Sequence, residues 1–148
     1  MFKVNIYSIK QVKEKAGLYD LQSKVIRSPK DVHELVEKVL DLSNEASELF
    51  GIITLNTKNV IAGMHILSKG SLNSSLVHPR EVFKAAILNN AASLICFHNH
   101  PSGDCSPSPE DIQLTGRLVE VGSVIGIEVL DHVIVGNDFC SLKEKGFM

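Results

Sequence analysis

An α/β sandwich, a mixed β-sheet with helices on its faces, is the fold class this sequence predicts. Three observations lead to it. Apolar residues at helical spacing follow two Ser-Pro helix starts, Ser28-Pro29 and Ser108-Pro109. Two apolar runs, 50–55 and 60–67, flank a polar turn and read as a β-hairpin. A strand of buried composition at 92–98 leads through a helical stretch to another strand at 128–135, the pattern of a helix–strand crossover. The 148 residues are 44% hydrophobic and 22% charged, enough apolar chain for one core, which excludes disordered, collagen-like and mucin-like proteins.

The elements follow in order. Residues 1–27 are a basic N-terminal extension, in which the alternation of 2–9 (FKVNIYSI) fits a short edge strand. A domain over 28–148 follows. Ser28 caps its first helix, with Pro29 at the first helical position, Asp31 in the first turn, and Val32, Leu35, Val36, Val39 and Leu40 as the buried stripe. Phe50–Leu55 and Val60–Leu67 form the hairpin around Asn56-Thr57-Lys58-Asn59. A Gly/Ser/Asn-rich loop spans 68–75. Pro79 opens a second helix with Val82, Phe83, Ala86 and Ile87 inward, ended by Asn89-Asn90. The third helix runs from Pro109 to about Val124. Strands at 128–135 and 139–141 flank the turn Gly136-Asn137, and Ser141 with Glu144 matches a capping box for a last helical turn.

The charge is uneven. Residues 1–30 carry seven Lys/Arg against Glu14 and Asp20, while the rest carries eight basic and fifteen acidic groups. The net charge of −2 exerts no strong global pull on nucleic acid or membrane, but the basic arm has the chemistry to touch phosphate. No apolar run approaches about 18 residues, so no membrane partner is expected. Three cysteines without a C-x-x-C pair are too few and too scattered for a disulfide framework, and a reducing cytoplasm is the expected home. Cys96 and Cys140, in strand-like segments, read as small core residues.

The chemistry centres on His98-Asn99-His100, where a buried strand runs out into a loop. Side chains two apart in a strand point the same way, so both imidazoles can meet one metal ion. Asp111 is the natural third ligand, because the loop 101–107 is built to turn the chain back. An internal control tempers this reading. Ser28-Pro29-Lys30-Asp31 and Ser108-Pro109-Glu110-Asp111 are the same helix start, and an acid there favours the helix dipole with no metal at all.

The stretch HNHPSGDCSPSPEDIQLTGRLVEVGSVIGIEVLDHVIVG closely resembles the RadC-like branch of the JAMM (MPN+) metallopeptidases, as does SLNSSLVHPREVFKAAILNNAASLI upstream. The resemblance covers roughly residues 28–145 and includes His-x-His-Pro followed by Ser108-x-x-Asp111. It implies a cytidine-deaminase-like JAMM/MPN sandwich with Zn2+ held by His98, His100 and Asp111. It also implies a general-base glutamate just before the first hairpin strand, where Glu48 sits, with Glu45 as the fallback if the register slips. Ser108 matches the family's serine, whose hydroxyl stabilises an oxyanion, although capping the third helix is its other available role. Glu81 and the segment Asn73–His78 match the RadC-like branch, the latter as a wall of the cleft.

The resemblance also sets expectations for other residues. Cys105 replaces the proline usual in the branch. It reads either as a thiolate near the metal or, better, as a loop substitution with an oxidisable exposed thiol. His132 lines the cleft, pairs with Asp131 or is structural, and His33 and His65 are ordinary helix and strand residues. Three functions follow: a zinc-dependent peptidase or isopeptidase acting on a peptide or protein substrate, a DNA-repair or mobile-element accessory module that touches nucleic acid through the basic arm, or a metal-binding scaffold without turnover. Longer members of the branch carry an N-terminal helix-hairpin-helix region that these residues lack, which weakens the second.

Overall fold

The computed structural model describes residues 1–70 and 77–148. Its first helix, α1 (Pro29–Leu40), starts where two reciprocal bonds satisfy its free N–H groups. Ser28 Oγ accepts from the Asp31 N–H and the Asp31 carboxylate accepts from the Ser28 N–H. The chain continues as β1 (Leu49–Leu55), β2 (Ile61–Lys69), α2 (Pro79–Leu88), β3 (Ser93–Asn99), α3 (Pro109–Ile125), β4 (Glu128–Val135) and β5 (Phe139–Ser141). Gly126, at φ 85°, ends α3 in the left-handed conformation that glycine adopts without strain.

The five strands make one mixed sheet in the order β2-β1-β3-β4-β5. The hairpin β1–β2 and the pairs β1–β3 and β4–β5 are antiparallel, while β3 and β4 run parallel because α3 crosses between them. Every residue of β1 and β3 is buried, which is why both read as unbroken apolar runs. Alternation divides the core into two layers. Ile53, Leu55, Ile95, Phe97, Val133 and Val135 pack against Val32, Leu35 and Val36 of α1. Phe50, Ile52, Leu94, Cys96 and Val129 pack against α2 and against Leu114 and Leu118 of α3. His98 follows Leu94 and Cys96 by strand periodicity and so faces α3, whereas Asn99 faces the α1 layer.

The sequence reading needs several corrections. Residues 2–9 form no strand. Phe2 and Ile6 are almost fully exposed, and the first sheet contact of the extension is the Val25–Val60 bridge. Alternation without a neighbouring strand to complete a ladder leaves the segment extended in solvent. Ile87 is 53% exposed, because the packed stripe of α2 is limited to Val82, Phe83 and Ala86. The hairpin's second strand continues through Ser68 and Lys69, and the rest of the expected 68–75 loop, 71–75, lies outside the described residues. Residues 142–146 form turns, and Glu144 N–H bonds Ser141 Oγ at 3.1 Å without a helix following. No helix among the described residues is long and apolar enough to cross a membrane.

Candidate metal centre

His98 lies near the end of β3, between Phe50 of β1 and Ile134 of β4. His100 extends the ladder one step further, its N–H bonding the Val135 carbonyl at 2.8 Å. The chain then turns back. Gly103, at φ 90°, donates to the His100 carbonyl and accepts from the Asn137 N–H. A Cβ on Gly136 would strike the Gly103 carbonyl, so the bare backbone of Gly136 lets this loop lie on the end of β4. The loop delivers Ser108, which caps α3 in a second capping box: Ser108 Oγ accepts from the Asp111 N–H at 3.1 Å and Asp111 Oδ2 from the Ser108 N–H at 2.8 Å. That cap fixes Asp111 on the face toward which the histidines point.

Four side chains converge. One ligand atom from each of Glu48, His98, His100 and Asp111 lies within 4.8 Å of all the others. His98 Nε2 is 2.9 Å from His100 Nε2 and 3.3 Å from Asp111 Oδ1, and His100 Nε2 is 3.2 Å from Asp111 Oδ2. Glu48 Oε1 is 3.7 Å from His98 Nε2. His98 and Asp111 are buried, while Glu48 and His100 are half-buried and leave the cluster open on their side. Of the two candidate glutamates, the structure brings Glu48 to the cluster and ties Glu45 to Lys69 at 3.1 Å. Glu81 pairs with Lys84 on the surface of α2. Of the cleft-wall segment 73–78, residues 73–76 lie outside the described residues.

The electrostatics are those of a crowded donor set. Burial pushes the Asp111 carboxyl up, but bonds to His100 and His98 overcome this and hold it well below the usual carboxylate range. The bond to Asp111 pushes His100 up against its burial, with help from the Asp104 carbonyl 2.7 Å from Nδ1. Burial also raises Glu48, against the opposing pull of His98 and His100. A tetrahedral ion with bonds of about 2.0–2.2 Å to imidazole and carboxylate places neighbouring donor atoms about 3.3 Å apart. The separations of His98 and His100 from Asp111 match that spacing and the His98–His100 separation of 2.9 Å is shorter; two histidines with one carboxylate are a donor set that would hold such an ion with room for a water.

Sequence reasoning missed the device that places Glu48. Asn99, buried between the two histidines in sequence, turns to the opposite face and clamps the segment carrying Glu48. Its Oδ1 accepts from the Leu49 N–H at 2.7 Å, and its Nδ2 donates to the carbonyls of Ser47 at 3.0 Å and Glu45 at 3.2 Å. An asparagine inside a His-x-His strand end is the one signal that pointed there.

Of the readings open for His132, the structure shows the structural one, and its ring does not pair with the Asp131 carboxylate. That carboxylate accepts from the His132 backbone N–H, the Ser141 hydroxyl and the Lys143 N–H. The His132 ring is fully buried behind His98, with Nε2 2.7 Å from His98 Nδ1, and burial holds it well below the usual imidazole range and therefore neutral. Cys105 is neither beside the metal ligands nor an exposed thiol, and Cys140 is not simply a core residue. The two are bridged as a disulfide, their Cα atoms 5.7 Å apart, because the loop folds back onto β5 across 35 residues of sequence. Cys96 is buried and free.

The family model of the RadC-like JAB domain matches residues 26–147. A UPF0758 protein of Shouchella clausii is 56% identical over 124 residues, which is 83% of this chain and 53% of that protein. The UPF0758 protein YsxA of Bacillus subtilis is 54% identical over 125 residues, covering 84% of this chain and 53% of its own. The chain thus spans about half the length of the curated relatives it matches.

Proposed function

The chain belongs to the RadC-like JAB domain family, and from that premise we propose that it is a zinc-dependent metallohydrolase that cleaves amide or isopeptide bonds in a peptide or protein substrate. The observation that carries this reading is the convergence of Glu48, His98, His100 and Asp111 on one point. His98, His100 and Asp111 would hold the ion. When bound, zinc acidifies water to a pKa of ~7 and polarises a carbonyl as a Lewis acid.

The remaining chemistry belongs to the protein's own groups. Glu48 is close to the ligands without sharing their tight spacing, as suits a base that takes the proton of an attacking water and returns it to the leaving amine. Ser108 can serve two ends at once, since the cap uses an oxygen lone pair and leaves the hydroxyl proton free to donate to a developing oxyanion.

Elemental analysis after zinc loading tests the reading. The expected result is about one zinc per chain in the wild type and none in His100→Ala, with Glu48→Gln keeping zinc while losing hydrolysis of peptide and isopeptide substrates. A wild type without stoichiometric zinc overturns the reading. It then favours a DNA-associated accessory module, which the exposed basic arm around Lys3, Lys10, Lys13 and Lys15 supports.

A further inference from the structure

Buried contacts between β4 and α3 determine which nitrogen of His98 carries its proton. The Asp111 backbone carbonyl can only accept, so the Thr115 hydroxyl 2.7 Å away donates its single proton there. With that proton committed, Thr115 Oγ1 is an acceptor for His132 Nδ1 at 2.6 Å, which must be the donor. A neutral imidazole protonated on Nδ1 keeps its lone pair on Nε2, and His132 Nε2 therefore accepts from His98 Nδ1 at 2.7 Å. With Nδ1 committed as the donor, Nε2 is the nitrogen of a neutral His98 whose lone pair is directed at His100 and Asp111. His100 arrives at the same state by a simpler route, since its Nδ1 must donate to the Asp104 carbonyl. When both rings are neutral their Nε2 lone pairs face one another 2.9 Å apart, an arrangement that a shared cation, a proton or a metal ion, stabilises.

We propose that His132, oriented by Thr115, is a positioning residue that locks His98 in its metal-binding tautomer. This inference rests on the metal-binding reading of the site. Metal-bound histidines ordinarily donate their other ring N–H to a carboxylate, a carbonyl or water. Here a neutral imidazole takes that place. Thr115 and His132 are both fully buried, so water has no access to replace either. The chain of bonds also runs back to the third ligand, because the carbonyl that starts it is that of Asp111. One network thus ties a ligand on β3 to a ligand on α3 through β4.

The test combines zinc affinity, by chelator competition, with nitrogen NMR of the histidine rings. The expected wild-type spectrum shows His98 protonated at Nδ1, with scalar coupling across the hydrogen bond to His132 Nε2. His132→Leu removes the acceptor and should weaken zinc binding by roughly 10–100-fold. His132→Gln, whose side-chain carbonyl can accept in the same place, should recover most of that loss. Thr115→Val should cause a smaller loss, with His132 free to adopt its other tautomer. A wild-type His98 protonated at Nε2 and not at Nδ1 overturns the proposal, as does a folded His132→Leu protein that binds zinc like the wild type. Failure of the wild type to bind zinc overturns the metal reading alone, because the ring spectrum of the metal-free protein still decides the tautomer.

Discussion

The two helix starts Ser28-Pro29-Lys30-Asp31 and Ser108-Pro109-Glu110-Asp111 are built alike and are used differently. Both form complete capping boxes, with serine accepting from the third helical N–H and the aspartate accepting from the serine N–H. At α1 the carboxylate is spent locally, on the Arg27 and Ser28 N–H groups at 2.8 and 3.0 Å. At α3 the same local bond leaves Asp111 buried with its two oxygens 3.3 and 3.2 Å from His98 and His100. The local code places a carboxylate at a helix start; only the strand that ends in front of it makes that carboxylate a candidate ligand.

Exchanging the two aspartates breaks the comparison most sharply. Asparagine can still cap through its carbonyl oxygen, so Asp31→Asn and Asp111→Asn should both keep their helices. Asp111→Asn should lose stoichiometric zinc, whereas Asp31→Asn should bind it as the wild type does, both read by elemental analysis. Equal zinc in the two variants would show that Asp111 is no more than a cap.

Glu48 sharpens the same contrast, because no helix start places it. Three bonds from Asn99 to Glu45, Ser47 and Leu49 hold the backbone around it instead. Asn99→Ala leaves one buried N–H and two part-buried carbonyls without their partner, and the buried N–H alone costs roughly 1–3 kcal/mol. The expected outcome is a lower melting temperature with hydrolysis reduced and zinc retained, since His98, His100 and Asp111 keep their own supports. Loss of zinc together with activity would mean that Asn99 holds the ligand strand rather than Glu48.

What the sequence made legible follows the range of each interaction. Caps at Ser28 and Ser108, the hairpin turn 56–59, the buried runs of β1 and β3, and the spacing of His98, His100 and Asp111 are codes that span about fourteen residues or fewer. Glu48 was reachable only by resemblance, since it meets His98 across 50 residues and nothing near it in sequence announces a base. The His98–His132 bond and the Cys105–Cys140 pair span 34 and 35 residues and depend on the parallel pairing of β3 with β4. The opposite error occurred at residues 2–9, where a correct alternation met no partner strand. Local pattern states what a segment can form, while the ladder and the layers behind it decide what it does form.

The smallest expected effect is also the one that separates Ser108's two roles. Ser28→Ala and Ser108→Ala each remove one capping acceptor, and each should lower stability by about 1 kcal/mol, measured by denaturant unfolding. Equal losses would show that the two caps are energetically interchangeable despite the longer bond at Ser28, 3.4 against 3.1 Å. Only at α3 does the capping serine bond the backbone of a candidate metal ligand, so Ser108→Ala should additionally slow hydrolysis at unchanged zinc content. A Ser108→Ala protein that loses stability but hydrolyses as the wild type does would reduce Ser108 to a cap. The difference between the helix starts would then reside entirely in Asp111 and the histidines it faces.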